Sequence, residues 1–176
     1  MLAEARAFAA QHEFESMVDF VEGSAESLPF PDSYADIVTC RRAAHHFTDI
    51  SLALSEMARV LRPNGRLGIS DMCPTSTGAT LVNRFERMRD PTHVRALDDG
   101  QWKTLVESAG LHVVLAETTE ESMFLEEWLK PVPAASPEAD AVRSALAALG
   151  PAEREIVTGE TEGKWLKRRI VLTAVK

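Results

Sequence analysis

The residues best suited to chemistry are the adjacent imidazoles His45 and His46, in the stretch Arg41-Arg42-Ala43-Ala44-His45-His46-Phe47. They follow the β-branched run Asp36-Ile-Val-Thr-Cys40. An imidazole just past a strand end can take a proton from a hydroxyl, an amine or an acidic carbon near neutral pH. The other reading of the pair packs one ring under the sheet edge and bonds the second to a loop carbonyl. Asp71 closes a second apolar run, Arg66-Leu-Gly-Ile-Ser70, where it either orients a substrate or caps the following turn. Arg41 and Arg42 offer cations to a carboxylate, with at least one of them expected on solvated surface. His12, His93 and His112 are too scattered to suggest a metal site, and none is expected.

These groups need strands to carry them. In open α/β sheets, ligands bind beyond the carboxyl ends of the strands, where loops gather. Residues 1–13 have helix-forming composition, and Met17-Val-Asp-Phe-Val21 alternates as a short strand. After it comes the turn Gly23-Ser24-Ala25-Glu26, whose backbone and Ser24 hydroxyl could meet a planar heterocycle. Residues 36–40 read as a mostly buried strand. Asp49 or Ser51 caps a helix running to Arg62, which Pro63-Asn64-Gly65 stops. Residues 66–70 form a strand and 79–89 an amphipathic helix. Asp98 caps a helix ending at Gly110, and 111–115 form a strand. Residues 122–130 and 138–149 read as helices, and Trp165 to Val175 as a long final strand. Alternating strands and helices imply an α/β fold, a parallel or mixed sheet with helices on both faces. Phe85, Met88, Trp102, Phe124 and Trp128 read as core at helical spacing, with an apolar substrate pocket as the alternative.

Composition narrows the function. Of 176 residues, 27 are acidic and 19 basic, for a formal charge of −8 that is spread evenly along the chain. No basic half or tail is present to neutralise phosphates, which argues against nucleic-acid or anionic-membrane partners. Lys167-Arg168-Arg169 reads as a solvated strand face. Two cysteines without CxxC spacing fit a reducing compartment, and no run is long enough to span a bilayer. The expected location is the cytoplasm, and the chain is expected to form one domain over 1–176.

Val21-Glu-Gly-Ser-Ala-Glu-Ser-Leu-Pro-Phe-Pro-Asp-Ser-Tyr-Ala-Asp-Ile-Val38 resembles the GDAExLPFPDxSFDxV stretch of class I S-adenosylmethionine-dependent methyltransferases. Thr39 to Phe47 and Glu56-Met-Ala-Arg-Val-Leu-Arg-Pro-Asn-Gly-Arg-Leu67 continue the match. The branch it is similar to is the type 11 domain of ubiquinone/menaquinone C-methyltransferases. The resemblance implies a Rossmann-like fold, S-adenosylmethionine as cofactor and a small-molecule O, N or C acceptor. It places Ser24 and Ala25 at the adenine, with Gly23 and Glu26 in the same turn, and Arg41 where the methionine end of the cofactor passes. From their own chemistry, His45 or His46 is expected to serve as base and Arg42 and Asp71 to meet the substrate, with 74–137 expected to hold substrate-side helical insertions.

The pattern is incomplete at its start. Such folds open with a strand and a glycine-rich turn, followed by an acidic residue that holds the ribose. All nine glycines here lie at position 23 or later, and the Met1-Leu-Ala-Glu-Ala-Arg6 helix matches the element after that acidic residue. The expected fold is therefore Rossmann-like with its first strands missing, about fifty residues by the size of a βαβ unit. The implied strand order 3-2-1-4-5-7-6 would leave 17–21 and 36–40 either pairing directly or borrowing a strand across a homodimer. The expected activity is methyl transfer, with the chain inactive as it stands or serving as a non-catalytic dimerisation or interaction module.

Overall fold

In the computed structural model, which describes residues 2–159, 161 and 163–176, four strands form one mixed sheet. They are β1 (Ala35–Arg41), β2 (Leu61–Met72), β3 (His112–Phe124) and β4 (Lys164–Val175), in the spatial order β1-β2-β4-β3. β1 runs parallel to β2, while β4 is antiparallel to both β2 and β3. This is the 4-5-7-6 end of the implied order.

Period-two alternation splits the sheet into two faces. Cys40, Ile69, Leu172 and Ala116 lie in register across one of them, beside Leu67 and Ala174. The N-terminal helix α1 (Leu2–Gln11) precedes the sheet, and helices α2 (Ile50–Val60) and α4 (Asp99–Ser108) cover this face with Leu54, Met57, Trp102 and Val106. Each such buried side chain is worth roughly 1.5–3 kcal/mol against exposure. Asp49 caps α2 by accepting the Leu52 amide at 3.0 Å, and Asp98 with Gln101 forms a reciprocal capping box on α4. Gly65 is required by close approach, because a Cβ there would meet the Arg62 carbonyl oxygen at 2.8 Å. Gly110, with φ +83°, turns the chain out of α4.

Trp165 belongs to the other face, and a second core gathers on it at one end of the sheet. It is built from α3 (Ala79–Arg89), α5 (Leu125–Trp128), α6 (Pro137–Ala147) and α7 (Pro151–Thr158). Trp128 stacks on Trp165 with centroids 3.8 Å apart. Buried Glu86 accepts from the Trp128 indole and from Arg89. Helices therefore flank both faces. The rest of the second face is open, with Ile37 65% exposed and Leu115 and Val171 also exposed.

Several elements depart from the sequence reading. Residues 17–21 form no strand: Glu15–Met17 is a 3-10 turn and 18–23 have no regular pairing, since no ladder stands beside them. Among the described residues they do not pair with β1, whose one ladder partner is β2. β1 is not mostly buried either. As an edge strand covered on one face, it hides only Cys40. β2 begins at Leu61 rather than Arg66, because Pro63 and Asn64 (φ 66°) enter the strand instead of preceding it. β3 runs on to Phe124, leaving α5 four residues long, and α7 was not anticipated. The 74–137 segment thus holds α4 and β3, which belong to the sheet layer, beside α3 and α5.

Candidate active site

The site lies past the ends of the parallel strands β1 and β2. Arg42, with φ 53°, turns the chain sharply out of β1 while its amide still bonds the Ser70 carbonyl at 2.8 Å. The turn aims the amides of Ala43 and Ala44 at Asp71 Oδ2, at 3.1 and 2.7 Å. Asp71 Oδ1 accepts from the Met72 amide at 2.7 Å and lies 2.5 Å from His45 Nδ1. Asp71 is 1% exposed. Burial alone would raise its pKa, but the hydrogen bond and charge of His45 and the Met72 and Ala44 amides reverse this, holding the carboxyl below its ordinary value.

A carboxylate can only accept, so His45 donates from Nδ1, and in the neutral ring Nε2 is left as the acceptor. The His45 carbonyl takes the amides of Val94 and Arg95, which locks the 90–97 loop over the 3-10 turn Ala44–His46. His46 lies with its ring 4.1 Å from that of His45, and its Nδ1 is 3.0 Å from both the carbonyl and the hydroxyl oxygen of Thr92. His93 packs behind them, 4% exposed, with Nε2 2.7 Å from Asn83 Oδ1. That oxygen also accepts the Ala96 amide, so His93 is a neutral donor. Burial first, then the charges of His45, Arg87 and His46, lower its pKa to about 4.

His45 and His46 form one wall of a cavity of about 260 Å³. Helix α3 supplies a second wall through Val82, Glu86 and Arg89, and Ile156 of α7 with residues 165–169 of β4 supplies a third. Arg42 lines it too, whereas Asp71 stands behind His45 and does not. Lys167, Arg168 and Arg169 are not a solvated strand face: they line this cavity beside Trp165. The sequence offered one signal for this, a basic triplet beginning two residues after a tryptophan in an apolar strand. Nothing in it placed α3 and α7 opposite. Phe85 and Trp128 belong to the second core, with Met88 packed against it, and Trp102 to the main one, so these are core rather than lining, whereas Phe124, 63% exposed, is neither.

Comparison with known proteins bears on the chain as a whole. Residues 1–69 match the family model of a methyltransferase domain, type 11. The chain is 43% identical over 107 residues to the uncharacterized methyltransferase YcgJ of Bacillus subtilis, covering 60% of this chain and 42% of that protein. It is 34% identical over 116 residues to the ubiquinone/menaquinone biosynthesis C-methyltransferase UbiE of Hahella chejuensis, covering 64% and 47%. The crystal structure of Bacillus subtilis YcgJ superposes on the whole chain with a TM-score of 0.88 at 30% identity, over 78% of the YcgJ chain. The chain belongs to the S-adenosylmethionine-dependent methyltransferases. It spans about half the length of the curated relatives it matches.

Within this methyltransferase frame, the residues expected to meet the cofactor lie apart from the cavity. Ser24 and Ser27 close a tight turn through the Ser24 carbonyl, with the Ser24 hydroxyl exposed and 3.2 Å from the Glu26 amide. Ala25 packs half-buried on the main core. Glu26 accepts the Asp49 amide at 2.8 Å, so its carboxylate secures the start of α2. A Cβ on Gly23 would meet Pro29 Cδ at 2.9 Å, which ties this glycine to the proline loop. Arg41 is exposed at the end of β1. The structure thus brings together His45, His46, Asp71 and Arg42, and leaves Gly23–Glu26 and Arg41 outside the cavity. Among the described residues, no group of three or more His, Cys, Asp or Glu side chains is placed to hold a metal ion, and no helix is long and apolar enough to cross a membrane.

Proposed function

We propose that this chain belongs to an S-adenosylmethionine-dependent methyltransferase acting on a small-molecule O, N or C acceptor in the cytoplasm, with His45 as general base. The observation that carries the reading is the Asp71–His45 pair, set 2.5 Å apart with His45 on the wall of the cavity. S-adenosylmethionine, when bound, supplies a methyl group on a sulfonium. The exposed Ser24 hydroxyl and Ala25 fit one side of its adenine, and Arg41 its methionine end, while Arg42 faces the acceptor. Asp71 fixes the His45 ring and tautomer, so that Nε2 takes the proton from the acceptor hydroxyl, amine or acidic carbon. General-base assistance of this kind is worth roughly 10²–10⁴-fold.

Calorimetric titration of this chain with S-adenosylhomocysteine tests the reading. The expected result is binding in the micromolar range, with His45→Gln leaving that affinity unchanged while methyl transfer falls about 10²-fold or more. A chain that takes up no S-adenosylhomocysteine at millimolar concentration would overturn it. The second reading, a non-catalytic dimerisation or interaction module, is favoured by one feature: the outer edge of β1 and the exposed Ile37 beside it.

A further inference from the structure

The cavity beside His45 is charged unevenly. Its nearby carboxylates are already occupied. Glu86 is bound by Arg89 and the Trp128 indole, Asp90 by the amide and hydroxyl of Thr92, Glu120 by Arg168 at 3.5 Å, and Glu121 by Arg169 at 3.4 Å. Two cations are left over. Among the described residues, the Lys167 ammonium and the Arg42 guanidinium have no hydrogen-bond or ion-pair partner, and both line the cavity. Burial first, then the like charges of Arg169 and Arg89, press the Lys167 amine below its ordinary pKa. Arg169 does the same to Arg42 ahead of any other influence. A half-buried lysine pushed toward neutrality by its neighbours gains from an anion more than a solvated one does.

The opposite lining is apolar. Val82, Ile156, Leu166 and Trp165 face the same space from α3, α7 and β4. A site with an apolar body, two unmatched cations and a base on one wall selects a molecule with an apolar part and an anionic group.

We propose that the acceptor is an anionic small molecule, a carboxylate or phosphate ester, whose charge sits between Lys167 and Arg42 while its apolar body lies against Trp165, Val82 and Ile156. This rests on the methyltransferase reading for the role of the occupant, but the binding itself requires no cofactor. Arg42 supplies a planar fork and Lys167 a point charge, so the pair suits either anion. The His45 imidazole on the neighbouring wall then faces the part of the molecule that loses its proton. Lys167 and Arg42 act on substrate affinity, and His45 on turnover.

The test uses the full chain and three probes of one size: 3-phenylpropionate, phenyl phosphate and the neutral 3-phenylpropanamide. Each is titrated calorimetrically, first without cofactor and then with saturating S-adenosylhomocysteine. At least one anion is expected to bind tenfold or more tightly than the amide, and whichever is tighter identifies the anion type. Lys167→Met and, independently, Arg42→Asn (asparagine tolerates the left-handed backbone there) are each expected to weaken the anion at least tenfold with the melting temperature retained. Equal binding of anion and amide, no binding of any probe, or unchanged affinity in both variants overturns the proposal. So does displacement of the anion by S-adenosylhomocysteine, which would assign the cations to the carboxylate of the donor. Uptake of S-adenosylhomocysteine in the absence of anion binding would sink this inference and leave the methyltransferase reading intact.

Discussion

Asp71 holds His45 from below, with Oδ1 2.5 Å from Nδ1, while its other oxygen is closed by the amides of Ala43 and Ala44. One buried carboxylate thus fixes both the ring and the backbone turn that carries it. Asp71→Asn puts an amide donor where only acceptors fit, so at least one N–H loses its partner. We expect a loss of about 2–4 kcal/mol, read as a lower urea midpoint. Methyl transfer should fall further than the stability change explains, because the His45 tautomer is no longer set. An unchanged midpoint would show that the turn does not depend on this carboxylate.

His93 gives the fold an acid limit. Its pKa of about 4 in the folded chain lies below the ordinary 6.5, so the unfolded chain binds the proton first. Stability contributed by the neutral ring is full above about pH 6.5 and is lost as pH falls toward 4, by up to about 3 kcal/mol. Asp71, also lowered, adds a loss with the same sign only below the ordinary carboxylate range. Urea midpoints at pH 7.5 and 4.5 check the window. His93→Gln, which keeps a donor for Asn83, should flatten the difference, and an equally steep fall in that variant would move the effect elsewhere.

Glu86 anchors the second core. It is 1% exposed and bonds both Arg89 and Trp128. Glu86→Gln leaves the Arg89 guanidinium without its counter-charge over the Trp128 ring, which we expect to cost about 3–5 kcal/mol. Phe85 and Trp165 pack in the same cluster, so near-ultraviolet circular dichroism from stacked Trp128 and Trp165 should weaken at temperatures where the far-ultraviolet signal persists.

What was readable in the sequence follows from how local each signal is. The caps Asp49 and Asp98, the helix α3 and the strand β4 rest on short-range chemistry, and the structure has them within a few residues of the expected bounds. The strand expected at 17–21 failed because alternation only marks a surface that a sheet could use, and no ladder lies beside it. His46 does bond Thr92, a loop carbonyl, as one reading held. Asp71 could not be assigned from sequence, since its role depends on amides 27 and 28 residues upstream. The Lys167–Arg169 triplet looked solvated because the helices that turn its strand face into a cavity wall, α3 and α7, are remote in sequence from each other.

Cys40 and Cys73 should be inert thiols in the folded chain. Both are buried, and burial pushes each up to about 11, with the Asp71 charge adding to the effect at Cys40. At pH 8 the thiolate fraction is then about 10⁻³, so iodoacetamide should label neither until urea unfolds the chain, when both react together. Labelling of one thiol in the native chain would show that its element opens locally.

The open side of the sheet should govern association. Ile37 sits on the edge strand β1, 65% exposed, on the face where Leu115 and Val171 are also uncovered. An unpaired strand edge with an exposed β-branched residue is a template for another strand, and a charge at that position is the usual protection. Ile37→Lys should change folding stability by no more than about 0.5 kcal/mol, because the side chain buries little. It should nevertheless lower the concentration-dependent rise in light scattering several-fold and shift sizing chromatography toward the monomer. A wild-type chain that stays monomeric at high concentration, with Ile37→Lys indistinguishable from it, would show that twist and the charges at Asp36 and Arg41 already protect this edge.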